Sequence, residues 1–247
     1  MTDTTIPARR FINEDATKVI QRLPRIGSLM IIGKRNGATH ERIGAVETVT
    51  EEAGLLLCRG SAHDSRIDPA AIHGMIIDTS SIMQEQVYPR IDFNGRDGQP
   101  IFSIVGFGGL EPFEAALEGL AIVTDQSGWQ KPERPKRAEV SPQDPGAVPL
   151  KAALASAQTI TIAFEGPGFS QSWTGVVPKV NPGMGFINIM DSDFHLHLLG
   201  GTVGAWKEQP GEAGFALAAL DHAGQATGLS VRAASAETLT AVAADIQ

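Results

Sequence analysis

Two histidines stand two residues apart in Asp191-Ser-Asp-Phe-His-Leu-His-Leu198. Alternate side chains of a strand share a face, so Asp191, Asp193, His195 and His197 would line one side while Phe194, Leu196 and Leu198 face a core. Imidazoles spaced this way can share a divalent ion, with a carboxylate as third ligand. The same residues also make the ordinary polar face of a half-buried strand. His73, in Ala71-Ile-His-Gly-Met75, would ligate iron if it faced a cavity and would otherwise be a packed or partly exposed side chain.

Other chemically suggestive stretches lack their partners. Gly168-Phe-Ser-Gln-Ser172 has no second glycine to complete a nucleophile elbow. Gly106-Phe-Gly-Gly109 is followed by Glu111 and Pro112 rather than by a phosphate-binding lysine, and a negative charge at a helix start repels anions. Cys58, the single cysteine, excludes an intrachain disulfide and reads, within Leu55-Leu-Leu-Cys58, as a small buried residue. These patterns assign no catalytic residue, no metal and no self-contained catalytic constellation.

The elements that must hold such residues are short. Of 247 residues, 42% are hydrophobic and the net charge is -8, spread along the chain, which argues against a nucleic-acid partner. No apolar run approaches the roughly 20 residues of a membrane span, and Met1 to Phe11 lacks the apolar centre of a secretory signal. A cytoplasmic location without membrane insertion is the expectation. Asn13 is placed to cap a helix with Ala16, Val19, Ile20 and Leu23 on one stripe. Pro112 suits the first turn of a second, and Leu239, Val242 and Ile246 suggest a third. Between them run short β-type segments at Met30–Ile32, Val46–Val49, Leu55–Cys58, Ile91–Phe93, Ile101–Val105, Ile160–Phe164, Phe186–Ile189, Phe194–Leu198 and Leu229–Val231, whose turn residues favour antiparallel sheet.

The pattern occurs twice. Leu29 to Ile32 followed by Lys34–Gly44 corresponds to Thr159–Phe164 followed by Glu165–Gly175, and the turn at Asp97-Gly98 corresponds to Asp221–Gly224, an offset of roughly 130 residues that points to a duplicated unit. A proline- and charge-rich stretch at 130–150 separates the copies and reads as an extended linker. Its charged run, Lys131 to Arg137, suits a solvated connector or contact with an acidic partner. The expected organisation is a first repeat at 1–129, the linker at 130–150 and a second repeat at 151–247.

Arg35-Asn-Gly-Ala-Thr-His-Glu-Arg-Ile-Gly44 resembles the Arg-Asn, His-Glu, Gly pattern near the start of the first repeat in bacterial haem-utilisation proteins of the HemS, HmuS and ChuX type. Gly185-Phe-Ile-Asn-Ile-Met-Asp-Ser-Asp-Phe-His-Leu-His-Leu198, then Ala205-Trp206 and Leu220-Asp221, is similar to that family's Trp-x-Asn-x-x-Asp-x-Asp-Phe-Asn-Leu-His-Leu stretch and its sequel. The resemblance implies an α+β fold of two tandem, structurally similar antiparallel β-sheet units with peripheral helices. It also implies haem, or a related tetrapyrrole, as ligand of a cytoplasmic protein in haem trafficking, storage or degradation.

An electron-donor or haem-acceptor protein is the implied partner, and a homodimer is compatible with the resemblance. Arg232 falls where the family has the arginine of a Tyr-x-x-Arg at the haem site and is the first propionate candidate. Arg90 occupies the comparable edge of the first repeat. The family's axial histidine lies in an Asp-x-His-x-Phe-Phe segment between the repeats, whereas Gln130 to Leu150 holds no histidine, and Leu229 replaces the tyrosine. Iron would then take His73, His195 or His197, or no protein ligand. The alternative is a diverged scaffold or interaction module that no longer binds haem.

Overall fold

The computed structural model describes residues 7–130, 136–209 and 214–240. In chain order the elements are β1 (Arg9–Ile12), α1 (Ala16–Ile20), β2 (Ser28–Arg35), β3 (Ala38–Ala45), β4 (Thr48–Glu52), β5 (Leu55–Arg59), β6 (Asp64–Ile67), β7 (Gly74–Asp78), β8 (Ile82–Met83), β9 (Gln86–Val87), β10 (Arg90–Asn94), β11 (Pro100–Gly106), α2 (Leu110–Ala116) and β12 (Ile122–Thr124). They continue as α3 (Val148–Ser156), β13 (Thr159–Gly166), β14 (Phe169–Val176), β15 (Asn181–Gly183), β16 (Phe186–Met190), β17 (Phe194–Leu199), β18 (Ala205–Gln209), β19 (Phe215–Leu220), β20 (Ala226–Ala233) and α4 (Glu237–Thr240). Two compact units divide them, one of Met1–Ile32, Ile43–Arg134 and Pro167–Phe169, the other of Gly33–Arg42, Pro135–Gly166 and Ser170–Gln247.

In the first unit, antiparallel strands run in the order β12-β1-β7-β10-β11-β2, and β4-β5-β6 form a separate meander. Phe93 and Phe102 face each other across β10 and β11 and stack at 4.3 Å, with Phe169 on Phe102 at 5.0 Å. Each such aromatic pair adds about 0.5–1.5 kcal/mol beyond the area it buries. Helix α1 closes part of this core with Val19 and Ile20. Its cap is Asp15, whose carboxylate accepts the Thr17 N–H at 2.8 Å. Asn13, expected to cap it, instead spends its own N–H on Ala121 O.

In the second unit, β15-β16-β17-β3 form one antiparallel run and β18-β19-β20-β13-β14 another. Phe194, Leu196 and Leu198 of β17 are buried, as their alternation predicts, among Ile160, Ile162, Trp173, Leu229 and Val231. Trp173 stacks on Phe194 at 4.6 Å.

The repeat is real at the level of element order. Strands β7-β10-β11-β2 of one unit match β18-β19-β20-β13 of the other, and the meander β4-β5-β6 matches β15-β16-β17. The two noted turns share one hydrogen-bond pattern: Gly95 N–H to Gln99 O with Gly98 N–H to Gly95 O, and Asp221 N–H to Gln225 O with Gly224 N–H to Asp221 O. Gly98 and Gly224 both sit in the left-handed region, at φ of 74° and 76°, where glycine carries no Cβ penalty.

The linker expectation needs correction. Residues 131–135 lie outside the described residues, but Asp144, Gly146, Ala147 and Leu150 are buried, and Pro149 opens α3. Asp144 accepts N–H groups from Gly146 at 2.8 Å and from Gly201 at 2.7 Å. The prolines here pre-set helix-start geometry rather than an extended connector. Val242 and Ile246 of the expected C-terminal helix lie outside the described residues, and Leu239 is buried on α4.

Candidate functional site

Strand β3 is one of the strands that the expected pattern lacks. It follows directly on a hairpin turn at Asn36-Gly37, both at positive φ (44° and 82°), the type I′ geometry that an Asn-Gly pair supplies. Its inward residues are Ala38, His40 and Arg42. Two of these are polar, so no apolar alternation marks the strand.

His40 is fully buried, and each ring nitrogen has a partner. Nε2 lies 3.1 Å from Ile162 O, which fixes it as the donor, and Nδ1 accepts from Gln171 Nε2 at 3.0 Å. Gln171 also donates to His40 O at 2.8 Å. The imidazole packs 4.8 Å from Phe194. Burial pushes its pKa down to about 3, so it is a neutral structural histidine that clamps β3 to β13 and β14.

The opposite face of the same strands carries the chemistry. In register, His195 faces Glu41, and His197 faces Thr39, so Glu41 meets His195 directly and His197 diagonally, both within reach of long side chains. His195 Nδ1 lies 3.3 Å and His197 Nε2 3.6 Å from the same Glu41 oxygen, Oε2. One potential ligand atom from each of the three residues lies within 4.8 Å of the others. Burial alone would raise the Glu41 carboxyl, but the two histidines outweigh it and hold it at about 2.

The third group is therefore Glu41 and not the neighbouring aspartates. Asp191 sits in a tight turn, its N–H bonded to Phe194 O at 2.7 Å. Asp193 pairs with the buried Arg42 at 3.1 Å. Both precede β17 rather than share its face. Glu41 is not among the expected site residues because the polar run Lys34–Gly44 has no apolar alternation to show which of its side chains share a face.

The other expected residues are divided between the two units. His73 is exposed beside an open hollow of about 620 Å³ whose lining includes Phe11, Ile12, Ile72 and Met75 but also Glu14 and Asp15. Arg90 is engaged by Asp92 at 2.5 Å and by Ser103 at 2.7 Å. Arg232 is exposed on β20, opposite Thr161 and Ala216, and makes no ion pair with a described residue. His73 and Arg90 belong to the first unit, Arg232, His195 and His197 to the second. Cys58 is buried, which raises its thiol to about 12, and it is the structural residue expected.

No protein-family model matches the chain, and no curated protein matches it. Among solved structures it is similar to ChuS, an E. coli heme oxygenase, at 17% identity over 91% of this chain and 83% of that one, with a TM-score of 0.73. It is likewise similar to apo-PhuS, a heme-binding protein from Pseudomonas aeruginosa, at 16% identity over 94% of this chain and 83% of that one, with a TM-score of 0.70. Two sheet units of repeated element order, matched along nearly the whole chain, give it the tandem fold seen in ChuS and PhuS.

Proposed function

We propose that the chain binds haem or a related tetrapyrrole and serves haem trafficking, storage or degradation in the cytoplasm. The observation that carries this reading is the fold shared with a heme oxygenase and a heme-binding protein along both units. Among the described residues no helix is long and apolar enough to cross a membrane. A degrading role would require an electron-donor protein, a carrier role a haem-acceptor protein, and a homodimer is compatible with either.

A haem site needs apolar walls for the macrocycle, cations for the propionates and, in most cases, an axial ligand. Arg232 offers an exposed guanidinium, and His73 offers an imidazole over partly apolar walls. The carboxylates of Glu14 and Asp15 at that hollow would repel propionates, and Arg90 is already neutralised by Asp92. Inside neither unit do these residues complete a haem site on their own. The second reading, a scaffold that keeps the fold without the ligand, is supported by the lack of a histidine in the sequence from Gln130 to Leu150.

Haem titration followed by absorbance separates the two. Binding gives a saturable Soret shift at about one equivalent, weakened by Arg232→Ala by about 10- to 100-fold, the worth of a charge-assisted hydrogen bond. A flat or non-saturating response rejects haem binding and leaves the scaffold.

A further inference from the structure

We propose that Glu41, His195 and His197 form a binding site for a single zinc-like divalent transition ion, with a fourth position open to solvent. The orientation of one side chain, Asn188, carries the argument. Its amide nitrogen donates to three carbonyls, those of Asn181 at 3.2 Å, Gly183 at 3.2 Å and Phe186 at 3.1 Å. The amide can be oriented only one way round, so the atom 2.7 Å from His197 Nδ1 is the acceptor Oδ1. His197 must therefore carry its proton on Nδ1.

In the neutral ring Nε2 is then a bare lone pair, and it is aimed at the Glu41 carboxylate 3.6 Å away. Either a proton on Nε2 or a metal ion bridges these two electron-rich groups, and in the neutral ring the ion takes the place that the proton leaves. His195 directs a second nitrogen at the same oxygen, at 3.3 Å. Zinc bonds of about 2.0–2.2 Å at tetrahedral angles put ligand atoms about 3.3 Å apart, which is the spacing of these pairs. Imidazole nitrogens with one carboxylate select zinc and its neighbours over magnesium or calcium, which prefer oxygen alone.

The site is also built in the manner of a metal centre. A ligating histidine usually gives its other N–H to a carbonyl or carboxylate that fixes the tautomer, as Asn188 does here. The three side chains retain 13% (Glu41), 20% (His195) and 27% (His197) of their exposure, so an ion can enter and keep a water. Directly behind them the buried clamp of His40 and Gln171 holds β3 in register. The Arg42–Asp193 pair occupies the adjacent edge without competing for Glu41. This site is independent of haem and does not need it.

The test is titration of tag-free protein with zinc chloride by calorimetry, with metal analysis after dialysis. One saturable equivalent is expected. His195→Asn, His197→Asn and Glu41→Gln should each weaken it by more than the roughly 10- to 100-fold that a supporting hydrogen bond is worth, and Asn188→Ala by about that amount. Circular dichroism checks the fold of each variant. X-ray absorption on the zinc-loaded native protein should show two imidazoles and needs no variant. Absence of saturable binding, a shell without imidazole, or variants that titrate like the parent would overturn the assignment.

Discussion

His73 and the pair His195–His197 carry the same chemistry, yet their settings differ. His73 sits just before β7 beside an acidic hollow, its backbone N–H on Asn94 O and its side chain exposed. His195 and His197 project from the middle of a hydrogen-bonded run, where the register with β3 delivers Glu41 to both and β16 delivers Asn188. A sheet face makes ligands converge because adjacent strands hold side chains at fixed lateral spacing. A strand-end loop has no such neighbour. The difference also appears behind the two sites, for only the sheet site is backed by a buried polar clamp.

That clamp gives the largest expected effect. Unfolded, an imidazole takes its proton near pH 6.5, whereas His40 folded holds off to about 3. Between those values the unfolded chain binds the extra proton, so stability is whole above pH 6.5 and drains as pH falls toward 3. At about 1.4 kcal/mol per pKa unit the loss amounts to several kcal/mol. Urea midpoints measured from pH 7.5 downward should fall accordingly, and His40→Gln should flatten the upper part of that slope. If the slope survives the substitution, the clamp is not its source.

Glu41 sharpens the comparison at lower pH. Its folded carboxyl lies at about 2 against an ordinary 4.5, so its contribution is present above 4.5 and lost as pH falls toward 2. Glu41→Gln should therefore make the acid slope shallower between 4.5 and 2, where His40 still contributes down to about 3, and leave the part above 4.5 unchanged. Gln171→Leu should cost about 1–3 kcal/mol in chemical denaturation, because it strands the buried Nδ1 of His40 without a donor. At the other end of the scale, His73→Ala should change stability by no more than about 0.5 kcal/mol, as expected of an exposed side chain. A larger loss there would mean that the hollow is a structural element and would erase the contrast.

The same contrast explains which parts were legible beforehand. Strand β17 declared itself through Phe194, Leu196 and Leu198, and β13 through Ile160, Ile162 and Phe164, since alternating apolar residues leave little doubt about the inner face. Strands β3 and β14 did not, because His40, Arg42 and Gln171 stand at inward positions. Each looks misplaced alone, and His40 and Gln171 are tolerated because each satisfies the other. Helix α3 was hidden for a different reason: Pro145 and Pro149 read as breakers when they in fact start the turn and the helix.

What the amino-acid sequence determined by itself was local: which residues alternate, where glycine turns the chain, that a unit recurs, and that His195 and His197 share a face. Local periodicity and turn chemistry act over a few residues and so can be read in order. What only the tertiary structure decided was partnership. Glu41 meets His195 across 154 positions of chain and Gln171 meets His40 across 131. Such pairs are chosen by strand register and by the need of every buried polar atom for a partner, and neither requirement leaves a mark at the residues' own positions in the sequence.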